Sequence, residues 1–103
     1  MSLQEAEARL AELEGPRQRF HQARHAHVTL GEELARARER FDGHPKLIEA
    51  LQAAHDEAGA RHVSEKADHE AHAHGFRQKG LDLDREIDRA AQAVLDARTE
   101  TGE

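Results

Sequence analysis

From Phe20 to Phe41 the residues Phe20, Ala23, His27, Leu30, Leu34, Ala37 and Phe41 follow one another at alternating intervals of three and four. That spacing brings every member to one side of an α-helix. It also repeats every seven residues, the period at which one helix packs lengthwise against another. No stretch of the chain alternates apolar and polar residues over the length of a strand. Ala, Glu, Arg, Leu and Gln dominate, all strong helix formers, and only two prolines and seven glycines interrupt them. The expected class is therefore all-α: an antiparallel helical hairpin or small bundle with coiled-coil-like seams.

Punctuation places the helices. Ser2 with Glu5 has the spacing of a capping box, and Leu3, Ala6, Leu10 and Leu13 continue one face. Gly15-Pro16 predicts a break, since proline lacks an amide hydrogen and fits best in the first turn of a new helix. The second helix should carry the seam across Gly31, although Thr29-x-x-Glu32 offers a cap at which it could divide in two. Asp42-Gly43-His44-Pro45 reads as the main reversal, with Gly43 in the left-handed conformation and Pro45 starting the next helix. So short a junction predicts a hairpin in which residues summing to about 87 lie opposite one another. Gly75 and Gly80 bracket an irregularity, after which Phe76, Leu83, Ile87, Ala90, Val94 and Ala97 resume an apolar stripe. The expected helices are 2–14, 17–42, 45–74 and 81–98 in one domain over 1–98, with 99–103 a frayed tail.

The supply of large apolar side chains is thin for 103 residues, and half of the apolar 37% is alanine. A small chain already buries a low fraction of its surface. Self-association is the expected way to enlarge such a core, with Phe20, Leu30, Leu34, Phe41, Leu47, Leu51, Phe76, Leu83, Ile87 and Val94 as its core and interface. A homodimer is the expected assembly, and a different helical protein is the alternative partner.

The formal charge is -6, with 8 basic and 9 acidic residues in 1–51 but 7 and 12 in 52–103. That balance argues against a nucleic-acid surface built on bulk positive charge, leaving Arg17, Arg19 and Arg24 as the best-placed phosphate contacts. Helical spacing pairs Glu32 with Arg36, and links Glu57, Arg61 and Glu65 in a chain. With no cysteine, thiolate chemistry and disulfides are excluded. The first residues lack the basic and apolar regions of a signal peptide, and no apolar run reaches the ~20 residues of a membrane span. The expected location is cytoplasmic, away from membranes.

Nine histidines are the chemical anomaly. Imidazole is the commonest metal ligand and titrates near neutral pH. His21 and His25 share a face at four-residue spacing, Glu65 and His69 repeat that spacing, and His69 and His72 are three apart. His55, His62 and His69 form a column at seven-residue steps, and the hairpin register brings His27 within reach of His62. The candidate metal ligands are His21, His25, His27, His62, Glu65, His69 and His72, and an imidazole-rich set suits Zn, Ni, Co or Cu. The competing reading of the seam histidines is neutral, hydrogen-bonded packing, or packing that weakens as the rings take up protons. HExxH is absent, because His69-Glu70-Ala71-His72 spaces its histidines three apart and not four. Phosphate-binding glycine loops, a di-iron carboxylate pattern and an arranged serine nucleophile are also absent from the sequence. The sequence thus favours a self-associating structural or regulatory interaction module over a histidine-based metal protein, and either over an enzyme.

Overall fold

The computed structural model describes residues 2–100, which form three helices: α1 (Leu3–Arg40), α2 (Pro45–Gln78) and α3 (Leu83–Glu100). No strand occurs among the described residues, and the fold is all-α. None of the described helices is long and apolar enough to cross a membrane. Thr99 and Glu100 of the expected frayed tail are helical, whereas 101–103 lie outside the described residues.

Local chemistry sets each boundary. Ser2 Oγ accepts a hydrogen bond from the Glu5 amide at 3.1 Å, which occupies one of the free donors at the start of α1. The helix then passes through Gly15 and Pro16 without a break, so the expected separate helices 2–14 and 17–42 are one. Proline costs the helix one hydrogen bond and a steric clash. Strong helix formers surround it, and Leu13 and Ala23 on either side are both buried. The helical path continues where the local signal favours an interruption.

The chain leaves α1 through Phe41 N–H to Ala37 O at 2.7 Å, and His44 N–H to Phe41 O at 2.9 Å closes the turn. His44 O then accepts from Leu47 and Ile48, with Pro45 in the first turn of α2. Gly43 does not take the expected left-handed conformation; Gly80, at φ 75°, is the one described glycine that does. At Gly80 the amide bonds to Arg77 O at 2.9 Å while the Leu81 amide reaches back to Phe76 O at 3.0 Å. These two bonds form a Schellman motif, so α2 ends at Gln78 and not at the expected 74. Asp82 caps α3, its Oδ1 accepting from the Asp84 amide at 3.0 Å and its carbonyl from the Glu86 amide. That cap starts α3 at Leu83 and not at 81.

The chain divides into two compact units, Met1–Gln18 with His69–Glu103, and Arg19–Asp68; α1 and α2 contribute to both. In the first unit α3 buries Leu83, Ile87, Ala90, Val94 and Ala97. Leu83, Ile87 and Ala90 pack with Leu13, and against half-buried Leu10, Ala73 and Phe76. Val94 and Ala97 pack with Ala6. Each large aliphatic residue so buried contributes roughly 1.5–3 kcal/mol.

The second unit is a hairpin. Arg19 meets Glu65, His27 meets His62 and Arg38 meets Gln52, so α1 and α2 run antiparallel there. Its buried residues Ala23, Leu34 and Ala37 all belong to α1, and α2 has none. Phe20, Leu30 and Leu51 are half-buried. Phe41 and Leu47, expected in the core or interface, are 45% and 43% exposed at the reversal, outside the core of the single chain.

Candidate functional site

The helical pitch places Phe20, His27 and Gly31 along one side of α1, and His55, Gly59 and His62 along one side of α2. Two glycines open space for two imidazoles. A Cβ at Gly59 would lie 3.1 Å from His27 Nε2, and one at Gly31 would lie 3.4 Å from His55 Nε2. Each histidine thus rests over a glycine of the facing helix, in a reciprocal arrangement that draws the rings together.

His27 Nδ1 and His62 Nδ1 are 3.0 Å apart. At that distance one nitrogen carries the hydrogen and the other offers its lone pair. The His27 ring also lies 4.7 Å from that of His55, centroid to centroid, and 5.3 Å from that of His62. Phe20 stacks on His62 at 5.7 Å with 19° between the ring planes. Phe20 therefore supplies the apolar flank of the cluster. His55 Nδ1 is shielded from solvent without a hydrogen-bond partner, and Asp56 Oδ1 stands 3.9 Å away, a distance for charge attraction only.

The remaining candidate ligands are distributed otherwise. His21 stacks against its neighbour Phe20 at 5.4 Å and is exposed, as is His25. Glu65 Oε2 faces Arg19 Nε at 3.4 Å, an ion pair whose orientation does not make a hydrogen bond. His69 and His72 belong to the other unit. There His72 meets Phe76 edge-on at 5.3 Å. His69 lines an open cleft of about 420 Å³ with Arg77, Asp82 and Asp84. Among the described residues no group of three or more His, Asp or Glu is arranged to hold a metal ion. The expected set of seven is thus divided between units, and the close pair is His27 with His62.

The charged residues also sort differently from the spacing rules. Arg17 pairs with Glu14 at 3.7 Å and Asp84 at 3.1 Å, and Arg19 with Glu65, so carboxylates engage two of the three candidate phosphate contacts. Arg38 donates to Gln52 Oε1 at 2.6 Å, and Gln52 Nε2 donates on to Asp56 Oδ1 at 2.8 Å. Among the described residues the expected Glu57–Arg61–Glu65 chain does not form: Glu65 turns to Arg19 across the hairpin, and nothing in the structure explains why Glu57 and Arg61 stand apart.

Sequence reasoning placed His27 near His62 but left His55 out of the site and gave Gly59 no role. A signal existed. Gly31 with His55 and Gly59 with His27 each sum to 86, so the hairpin register pairs each of these two glycines with an imidazole. Chemically the cluster offers one ring-to-ring hydrogen bond. It holds no arranged nucleophile. Comparison with protein-family models, curated proteins and solved structures finds no match for this chain.

Proposed function

We propose that the protein is a helical interaction module that works by self-association, and that the Arg19–Asp68 hairpin supplies the contact. One observation carries this reading: two units of similar helical make-up are completed to different degrees. In the first, α3 buries five apolar residues against its neighbours. In the hairpin the buried residues are Ala23, Leu34 and Ala37 of α1 and none of α2, and a groove of about 480 Å³ lies open, lined by Ala23, Ala26, Leu30, Ala54 and Ala58 together with Gln22, Glu57 and Arg61. A two-helix layer with an uncovered apolar side gains stability from a further helical layer. A second copy brings such a layer without requiring another gene product, and closed two-fold pairs are the commonest assembly of like chains.

Mass action tests the reading. Unfolding of a dimer yields separated chains, so its midpoint temperature rises with protein concentration. Thermal unfolding followed by circular dichroism at ~5 and ~200 μM should shift upward by several degrees. An unchanged midpoint contradicts self-association.

A second reading, transition-metal binding, draws on the 3.0 Å approach of His27 Nδ1 to His62 Nδ1. Two imidazole nitrogens bound to one zinc at ~2.0–2.1 Å each stand only slightly farther apart than this. Two ligands are fewer than a structural site uses, so this reading ranks second. Metal analysis of untagged protein separates the readings: stoichiometric Zn, Ni, Co or Cu whose chelation dissolves the assembly favours the metal, and an assembly indifferent to chelator favours packing alone.

A further inference from the structure

The surface of α2 also indicates how two copies meet, an assignment that rests on the self-association reading. Ala50, Ala54, Glu57, Arg61, Ser64 and Asp68 recur at intervals of four and three, so they form one stripe along α2. Ala54, Glu57 and Arg61 line the open groove. Ala54 is half-buried and the other five are exposed. Glu57 and Arg61 stand one turn apart with opposite charges, the spacing at which side chains of one helix pair. Neither enters an ion pair among the described residues, and the carboxylate one turn further on, Glu65, is held by Arg19.

We infer that this stripe is the contact between two copies of the chain. In it α2 lies antiparallel beside α2 of the second copy, with Glu57 facing the second copy's Arg61 and Arg61 facing its Glu57. A two-fold axis at the level of Gly59 makes both pairs at once, because the patch is then complementary to itself. The same register sets Ala54 against Ser64 and Ala50 against Asp68 of the second copy. Small side chains at those levels let two helix backbones approach closely. Charge complementarity selects the occupant. A partner surface of one sign leaves Glu57 or Arg61 facing its own charge, whereas the chain's own stripe, reversed, satisfies both.

Charge exchange tests the contact. The variants are Glu57→Arg, Arg61→Glu and the double exchange, each with helix content checked by circular dichroism. The dimer dissociation constant is read by dilution calorimetry at low salt, where exposed charges are least screened. Each single exchange places like charges opposite one another twice and should weaken the dimer about tenfold or more, and the double exchange should restore it. Ala54→Lys, which sets a long charged side chain in the same stripe without altering the pair, should weaken the dimer as well. A dimer that none of the variants weakens overturns this contact and leaves self-association standing. Single exchanges that weaken it without rescue by the double overturn the Glu57–Arg61 pairing. A wild-type chain that is monomeric throughout overturns the self-association reading and this contact with it.

Discussion

His27 and His62 share one hydrogen between two Nδ1 atoms 3.0 Å apart, a contact that depends on the state of both rings. Two neutral rings can form it, and so can one neutral and one charged ring. Two charged rings cannot, because both nitrogens then carry hydrogen. Asp56 stands beside His55, and Glu65 is paired with Arg19. His27→Ala removes the ring and its contact, and should lower the thermal unfolding midpoint by a few degrees; an unchanged midpoint contradicts a stabilising role for the pair. The glycines give a second residue-scale prediction. Alanine in place of helical glycine stabilises by about 0.5–1 kcal/mol where space allows. Gly31→Ala meets His55 at ordinary contact distance and should gain that amount. Gly59→Ala meets His27 Nε2 at 3.1 Å, must displace the ring by a few tenths of an ångström, and should gain less. Equal gains in the two variants contradict the reciprocal packing. The pairing of His27 with His62 was legible from the hairpin register, whereas the fit of ring over glycine depends on how closely the helices approach, which periodicity does not encode.

Pro16 shows where local signals stop determining an element. The sequence places it in the first turn of a new helix, where substitution by alanine is nearly neutral. In the structure it lies inside α1, where proline is disfavoured relative to alanine by up to about 3 kcal/mol. Pro16→Ala should therefore raise the unfolding free energy by about 1–3 kcal/mol in denaturant titration, and a negligible change contradicts the continuous helix. The periodic stripes were legible because burial follows them: Ala23, Leu34 and Ala37 on α1, and Leu83, Ile87, Ala90, Val94 and Ala97 on α3, are all buried. Turn chemistry was less so. Gly43 and Gly80 look alike in sequence as helix stops, but only Gly80 adopts the left-handed conformation and completes a Schellman motif. Hydrogen bonds through Phe41 and His44 turn the chain at Gly43 without one. Charge spacing also misleads at this scale, since Glu65 meets Arg19 on the other helix in preference to Arg61 on its own.

For the whole molecule, the scarcity of large apolar side chains has a direct structural counterpart. What core the chain builds is richest where α3 is present, in Met1–Gln18 with His69–Glu103. The Arg19–Asp68 hairpin keeps open a groove lined in larger part by apolar residues and buries nothing from α2. That imbalance motivates self-association, and composition alone could not locate it because it depends on which parts of α1 and α2 share a unit with α3. Phe41 and Leu47, exposed at the reversal, add apolar surface to the same hairpin. Sedimentation equilibrium at neutral pH and tens of micromolar protein is the most direct test. Self-association through the hairpin predicts twice the chain mass, decreasing toward the monomer on dilution, and a single-chain mass at every concentration contradicts it.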